Sequence, residues 1–500
     1  MFDIPSKNSQ ETIALNQIIE YVLDPNNQPL KILETLKITH DDKNIITALL
    51  ERRDLYNVKR LFSISQIIFT HPEILMKRDK SGKDVFSYFI EFATYDLIEE
   101  FIKMLSEHSS AEEKKAILSN VDNEGRSHLI MICENKKFES LEETFKHFID
   151  LIASSCGLEF LYEMLTKPDN RGNNILIACL KNNNYKIANQ IIEIISKVVL
   201  EKEMRLKIEH KLLTQCDKEG QNVLMLLAKF NIDNQIQDRI IKLVKEIPSN
   251  WVCLTNNDTD GRNAISLAIM NDNQPMIESS MSILAEMNDN DKKLLLTDLC
   301  KKFDSNCENF ISLSFKHGKS FLYLTIIAEM EKILEEEVLI ECFRKTFAAH
   351  KDILHYALID NNIDAILSVI KYLKLVKNIS DNDRVYISEL ITKKDNNSSS
   401  LLLHAISKSN LEVCDIILTT AKEFCDPITL KMVISAKDSQ GNGPYVLAKL
   451  NNNRKIQERL VKFAEETNNN NLITAQAVQF EKLLVIQNSH LKPLVTQVFN

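Results

Sequence analysis

Cysteine and histidine are the residues through which this chain could act as nucleophile, base or metal ligand, and it carries 10 Cys and 11 His in 500 residues. The Cys stand singly, with no Cys-x-x-Cys spacing, so neither a zinc site nor a redox motif is written locally. Cys307 and His317 lie ten residues apart and could be imagined as nucleophile and general base, but neither has a third residue to orient it. No Gly-rich phosphate loop, Gly-x-Ser-x-Gly elbow, His-Glu-x-x-His helix or kinase signature occurs. With 9 Gly, there is little material for a phosphate cradle. The catalytic, metal and cofactor sets are therefore read as empty and the chain as a non-enzyme. What remains is contact chemistry: polar side chains at recurring positions, and the single Trp, Trp251, in Pro248-Ser249-Asn250-Trp251. That Trp is read first as a packing residue and second as a binding hot spot, a role for which Trp is favoured.

The elements that must position these side chains are set by a pattern that recurs along the chain. In Asp169-Asn170-Arg171-Gly172-Asn173-Asn174-Ile175-Leu176-Ile177-Ala178-Cys179, with Asp as zero, Gly stands at +3, a small polar residue at +5, an apolar one at +7 and a small one near +10. Asp79, Asp122, Asp217, Asp258, Asp395 and Asp438 open further copies. Asp304 opens a weaker one, Phe347 marks one without its Asp, and Thr39 marks a worn first copy. Successive anchors from Asp79 lie 43, 47, 48, 41, 46, 43, 48 and 43 residues apart, about ten units in all. Near +13 or +14 comes a small turn residue, as at Asn135, Asn182-Asn183, Asn231, Asn271-Asp272, Asp360-Asn361 or Asn451-Asn452. An apolar ladder such as Ile187, Ile191, Ile192, Ile195 follows, as a buried second helix requires.

This order resembles the ankyrin repeat, Asp-x-x-Gly-x-Thr-Pro-Leu-His-x-Ala, in which a polar turn feeds two antiparallel helices. Two departures stand out. Ankyrin units run to about 33 residues, whereas these take 41 to 48. The surplus precedes each next anchor and reads as helix, as in Glu112–Leu118, Met204–Leu213, Asp291–Leu299, Glu335–Phe347, Asp383–Ile391 and Ile428–Ile434. A third helix is expected in place of the usual β-hairpin, and three helices in that length is also the size of an armadillo unit. Thr-Pro at +5 and +6 is reduced to Gly443-Pro444, but Asn or Ser at +5 can still cap a helix. The expected fold class is an all-α, ankyrin-like helical repeat solenoid. The resemblance also implies structural roles for His355 at +8 and His404 at +9. It places partner contacts at +1, +2, +4 and +12: Asn170, Arg171, Asn173 and Lys181; Lys218, Glu219, Gln221 and Lys229; Thr259, Asp260, Arg262 and Met270.

The balance of 44% apolar and 26% charged residues is that of a chain with a proper core. The net charge of −9, with signs interspersed, lacks the basic stripe that nucleic-acid binding needs. No signal segment or membrane span is read, and unpaired Cys in helix-core places such as Cys133 and Cys179 suit a reducing compartment. The expected organisation is an N-terminal capping helix at 1–35, repeats at 36–300, degenerate repeats at 301–392 carrying the acidic run Glu329 to Glu337, repeats at 393–466, and a C-terminal cap and tail at 467–500. The Lys-, Asn- and Ile-rich composition on a worn array is similar to the ankyrin-containing effectors that intracellular bacteria such as Legionella inject into host cells. That resemblance implies a monomeric, noncatalytic protein that binds a host eukaryotic protein. A resident cytoplasmic scaffold and an enzyme with a cryptic site in 301–392 are the alternatives.

Overall fold

The computed structural model describes residues 10–24, 26–36, 43–135, 141–198, 202–230, 232, 234–350, 353–359, 362–376, 388–394 and 399–482. The anchor Asp395, the starting point Thr39, the turn residues Asn231 and Asp360-Asn361 and the tail 483–500 lie outside them. The described residues form helices joined by turns, with isolated bridges such as Val121–Ser127 and Lys394–Ser400. The chain divides into two compact units, Met1–Thr259 with Asn263–Glu286, and Asp260–Arg262 with Met287–Asn500. Each is an all-α stack of repeats of the solenoid class.

Each repeat begins with the anchor turn. The Asp Oδ1 accepts the backbone N–H groups at +2 and +4, as Asp169 does from Arg171 and Asn173 at 2.8 Å each, and as Asp217 does from Glu219 at 2.9 Å and Gln221 at 2.8 Å. Closing the turn requires a left-handed residue at +3. Gly172 has φ +81°, and a Cβ there would lie 2.9 Å from the Cα of Asp217 in the next turn. The turns are themselves bonded to one another: the N–H at +1 donates to the carbonyl at +2 of the preceding repeat. Asn170 bonds Glu124 at 2.8 Å, Lys218 bonds Arg171 at 2.7 Å and Thr259 bonds Glu219 at 2.8 Å. In the second unit Ser305 bonds Asp260 at 2.7 Å in the same way.

The residue at +5 then caps the first helix. Asn174 Oδ1 accepts from Ile177 N and Asn222 Oδ1 from Met225 N, each at 3.0 Å. The amide also does a second job. Asn174 Nδ2 donates to Leu212 O at 2.9 Å, and Asn222 Nδ2 to Cys253 O at 2.8 Å, tying the first helix to the far end of its own repeat. In the worn first copy Asn44 likewise caps Ile45–Glu51 and bonds Ile74 O at 2.8 Å. Gly443 has no side chain to offer. Gln476, from the helical stretch 470–482, takes over both bonds, accepting from Tyr445 N and donating to Ile434 O, each at 2.8 Å.

First helices are seven or eight residues long, as in Ile175–Lys181, Val223–Lys229 and Phe310–Lys316, and nearly every side chain in them is buried. A left-handed residue at +14 turns the chain back: Asn183, Asp272, Gly318, Ser409 and Asn452 have φ between 53° and 66°. A longer second helix follows, such as Tyr185–Val198 or Leu411–Phe424, and then the third element. Five of the expected third helices are present, as Ala111–Leu118, Lys202–Thr214, Asp289–Lys301, Glu336–Ala349 and Pro427–Ser435, and Leu158–Thr166 is a further one that the sequence reading did not single out; of the expected Asp383–Ile391, residues 383–387 lie outside the described residues. The repeat opened at Asp217 has the shortest step, and there a 3-10 turn, Pro248–Trp251, and one turn of helix, Val252–Thr255, suffice. Gln10–Leu23 and Pro29–Leu36 bury Ile19, Val22, Ile32 and Leu36.

Where the consensus fades, aromatic rings supply the core of the second unit. Phe343 stacks on Tyr372 with centroids 3.9 Å apart and planes 7° from parallel, and Phe315 packs on Tyr323 at 4.5 Å. The acidic run of this region is used between helices. Glu329 meets Lys292 at 3.9 Å, Glu331 meets Lys371 at 2.8 Å and Glu335 meets Lys293 at 3.3 Å.

Candidate functional site

In the first unit, the residues at +4 and +12 lie beside each other because one precedes and the other ends the first helix. Where their charges are opposite they pair: Lys83 with Glu91 at 2.5 Å, and Arg126 with Glu134 at 3.1 Å. The worn first copy has Lys43 with Glu51 at 2.6 Å. In the repeat opened at Asp169 these positions hold Asn173 and Lys181, and Lys181 instead reaches the next anchor, Asp217, at 2.6 Å. From Lys83 onward these side chains line a groove of about 710 Å³ that runs over the repeats opened at Asp79, Asp122, Asp169 and Asp217. Its wall alternates in sign, with Lys83, Arg126, Arg171, Lys181 and Lys218 against Glu91, Glu134, Asp217 and Glu219.

Of the residues expected to meet a partner, Arg171, Asn173, Lys181, Lys218 and Glu219 line this groove. Arg171 is two-thirds exposed and pairs with Glu124 at 3.0 Å. Asn170 is exposed, and its side chain donates to Asn123 O at 3.0 Å, so it also serves the turn-to-turn ladder. Lys229 is exposed and lies over the ring of Phe230. Thr259 is exposed and Met270 half-buried. Asp260 and Arg262 belong to the second unit and pair with each other. Three positions are corrected. Gln221 is buried because its backbone closes the Asp217 turn. Trp251 is 7% exposed, and the turn carrying it packs against Lys202–Thr214 and Asn234–Glu246, so its second reading as a surface hot spot falls and its first, as a packing residue, stands. Asn173 is 4% exposed and meets the groove only as part of its wall. Arg126 and Glu134 were missed: they obey the same +4 and +12 rule, and applying it to the Asp122 copy finds them.

The other chemistry-bearing residues are absorbed by the stack. His355 Nε2 meets Ser399 O at 3.3 Å, in keeping with a structural role. Cys133 and Cys179 are fully buried, and burial pushes the Cys179 thiol well above its ordinary range. Cys307 takes the left-handed turn place that Gly holds in other repeats, with φ +60°. A buried pair, Asp84 Oδ1 and His128 Nε2 at 2.9 Å, joins two repeats, with Asn120 donating to the other Asp84 oxygen at 2.9 Å. Burial opposes ionisation of Asp84, but His128 and these hydrogen bonds outweigh it and hold the carboxyl below its ordinary value. Among the described residues no group of three or more His, Cys, Asp or Glu converges as metal ligands would, and no helix is long and apolar enough to cross a membrane.

No family model and no curated protein matches the chain. Among solved structures, one alignment spans 97% of this chain and 98% of a circular tandem repeat protein with novel repeat topology and enhanced subunit contact surfaces, at 13% identity and a TM-score of 0.27. A likeness at that score carries no argument. The repeated turns, caps and helices are the chain's own evidence, and by them it is an all-α tandem helical-repeat protein.

Proposed function

We propose that this chain is a noncatalytic protein-binding module whose contact surface is the groove over the repeats opened at Asp79 to Asp217. The observation that carries the reading is that side chains from four successive repeats line one continuous depression of about 710 Å³. Stacked repeats place side chains at a fixed spacing, which suits an extended polypeptide better than a small molecule. The wall's alternating charges favour specificity and register more than raw affinity. The purified protein is used to capture partners from eukaryotic lysate beside the double variant Arg171→Glu, Lys218→Glu, both at exposed groove positions. A protein held by the parent and lost by the folded variant supports the groove, whereas retention by both moves the contact elsewhere.

The finer reading is a divergent, lengthened ankyrin array, monomeric, delivered by an intracellular bacterium into host cytoplasm to capture a host protein. It is supported by the Asp-x-x-Gly openings and by the Lys-, Asn- and Ile-rich composition. A reporter fusion that stays inside the producing cell during infection would replace it with a resident scaffold.

A further inference from the structure

The second helices carry a depression of their own, and its charge is not balanced as that of the first groove is. Tyr95–His108 and Leu141–Cys156 pack side by side, and between their exposed stripes lies a groove of about 1060 Å³. Residues at helical spacing wall it: Asp96, Glu99, Glu100 and Glu107 from one helix, His147 and Asp150 from the other. Half-buried Met104, Ala153 and Leu158 give it apolar surface. Among the described lining residues the one permanent cation is Lys103.

Elsewhere, neighbouring second helices settle their charges against each other. Glu286 meets Lys245 at 2.6 Å, Glu331 meets Lys371 at 2.8 Å and Glu466 meets Lys422 at 2.9 Å. Between Tyr95–His108 and Leu141–Cys156 the corresponding contact is Glu99 with His147 at 3.7 Å, and an imidazole is charged only when protonated. No ion pair with a described residue reaches Asp96, Glu100, Glu107 or Asp150. These carboxylates are open to solvent, Glu100 half-buried and the other three exposed.

We infer that this groove receives an amphipathic, Lys- or Arg-rich α-helix of a protein partner. A trough between two packed helices accepts a third by the ridge-and-groove fit that joins the first two. Asp96 and Glu107 stand 11 positions apart, about 16 Å along a helix, so the site spans roughly three turns of the partner. The unpaired carboxylates on both walls select basic flanks, while Met104, Ala153 and Leu158 select an apolar stripe between them. The same carboxylates repel acidic helices, nucleic acid and anionic membrane surfaces. This surface is separate from the groove over the anchor turns and does not rest on it.

A fluorescent peptide of roughly 14 residues, Leu and Lys arranged so that Leu recurs at i, i+3, i+4 and i+7, is titrated by anisotropy into the full-length protein. Beside it run a peptide of the same composition with the pattern scrambled and one with Glu in place of Lys. The patterned Leu/Lys peptide should bind about tenfold more tightly than either. Glu107→Lys with Asp150→Lys, one exposed residue on each wall, should weaken it about tenfold or more. Glu465→Lys with Glu481→Lys makes the same change of net charge at exposed positions of the second unit and should leave it unchanged. Lys103→Glu should strengthen binding severalfold, a gain that misfolding cannot produce. Equal losses from the two double variants would mean attraction to net charge alone and overturn the site, as would equal binding of the scrambled peptide or no gain from Lys103→Glu. Self-association of the parent in sedimentation, abolished by Glu107→Lys with Asp150→Lys, would also overturn it by placing a second copy of this chain in the groove. Arg171→Glu with Lys218→Glu, in the first groove, should not change this peptide's binding, so the two surfaces stand or fall separately.

Discussion

Single residues in the anchor turn carry more than their local conformation. Gly172 and Gly441 share φ +81°, yet a Cβ on Gly172 would sit 2.9 Å from Asp217 Cα, while one on Gly441 would meet nothing within 4 Å. Gly441→Ala should therefore cost only the left-handed strain, roughly 1 kcal/mol. Gly172→Ala should cost more, at least ~2 kcal/mol, since it must also push the next turn away; urea midpoints of the two variants check the ordering. Asn222→Ala removes a cap worth ~1 kcal/mol and leaves the buried Cys253 carbonyl without its donor, a further ~1–3 kcal/mol. Ser127→Ala, which loses only a cap bond of 3.4 Å, should cost less. Asp84 gives a pH signature. Its folded pKa lies below the unfolded value of about 3.9, so its contribution is full above that pH and is lost as pH falls through the folded pKa. As pH is lowered below about 4, the parent's stability advantage over Asp84→Asn should shrink progressively, as followed by urea titration at each pH.

The third helix is the element that sets this array apart from a 33-residue repeat. It supplies the carbonyl ends that Asn174 and Asn222 bond. Where the third element shrinks to Pro248–Trp251 and Val252–Thr255, the bulk of Trp251 fills part of the space that a longer helix occupies elsewhere. In the second unit, Glu336–Ala349 contributes Phe343, fully buried and stacked on Tyr372. Phe343→Ala should cost ~3–5 kcal/mol. Its effect on amide exchange should be strongest in Ser320–Ile333 and Ile363–Val376, the second helices packed against Glu336–Ala349.

At the scale of the molecule, stability in a stacked array is a sum of repeat and nearest-neighbour terms. The Phe343→Ala perturbation should therefore leave exchange in the repeats around Asp79 and Asp122 unchanged, which hydrogen-exchange mass spectrometry reads directly. Uniform loss of protection across both units would instead show a single cooperative unit. Function also belongs to this scale, because no single repeat forms the groove.

What the sequence determined by itself is what residues within about fifteen positions of each other make together: the Asp turn with its left-handed Gly, the cap at +5, the first helix, the left-handed residue at +14 and the helices beyond. These bonds close locally, so residue type and spacing suffice to write them, and a worn copy such as the one capped by Asn44 still shows. What only the tertiary structure decided are the partners far along the chain, across 31 to 47 residues: Asn222 with Cys253, Asn170 with Asn123, Gln476 standing in for the side chain that Gly443 lacks. The burial of Gln221 and Trp251, and the reach of Lys181 to Asp217, are of the same kind. Repeat periodicity says which positions are equivalent, but how far one repeat is shifted against the next is set by packing between helices, and that shift decides which side chain finds a partner and which is left without one.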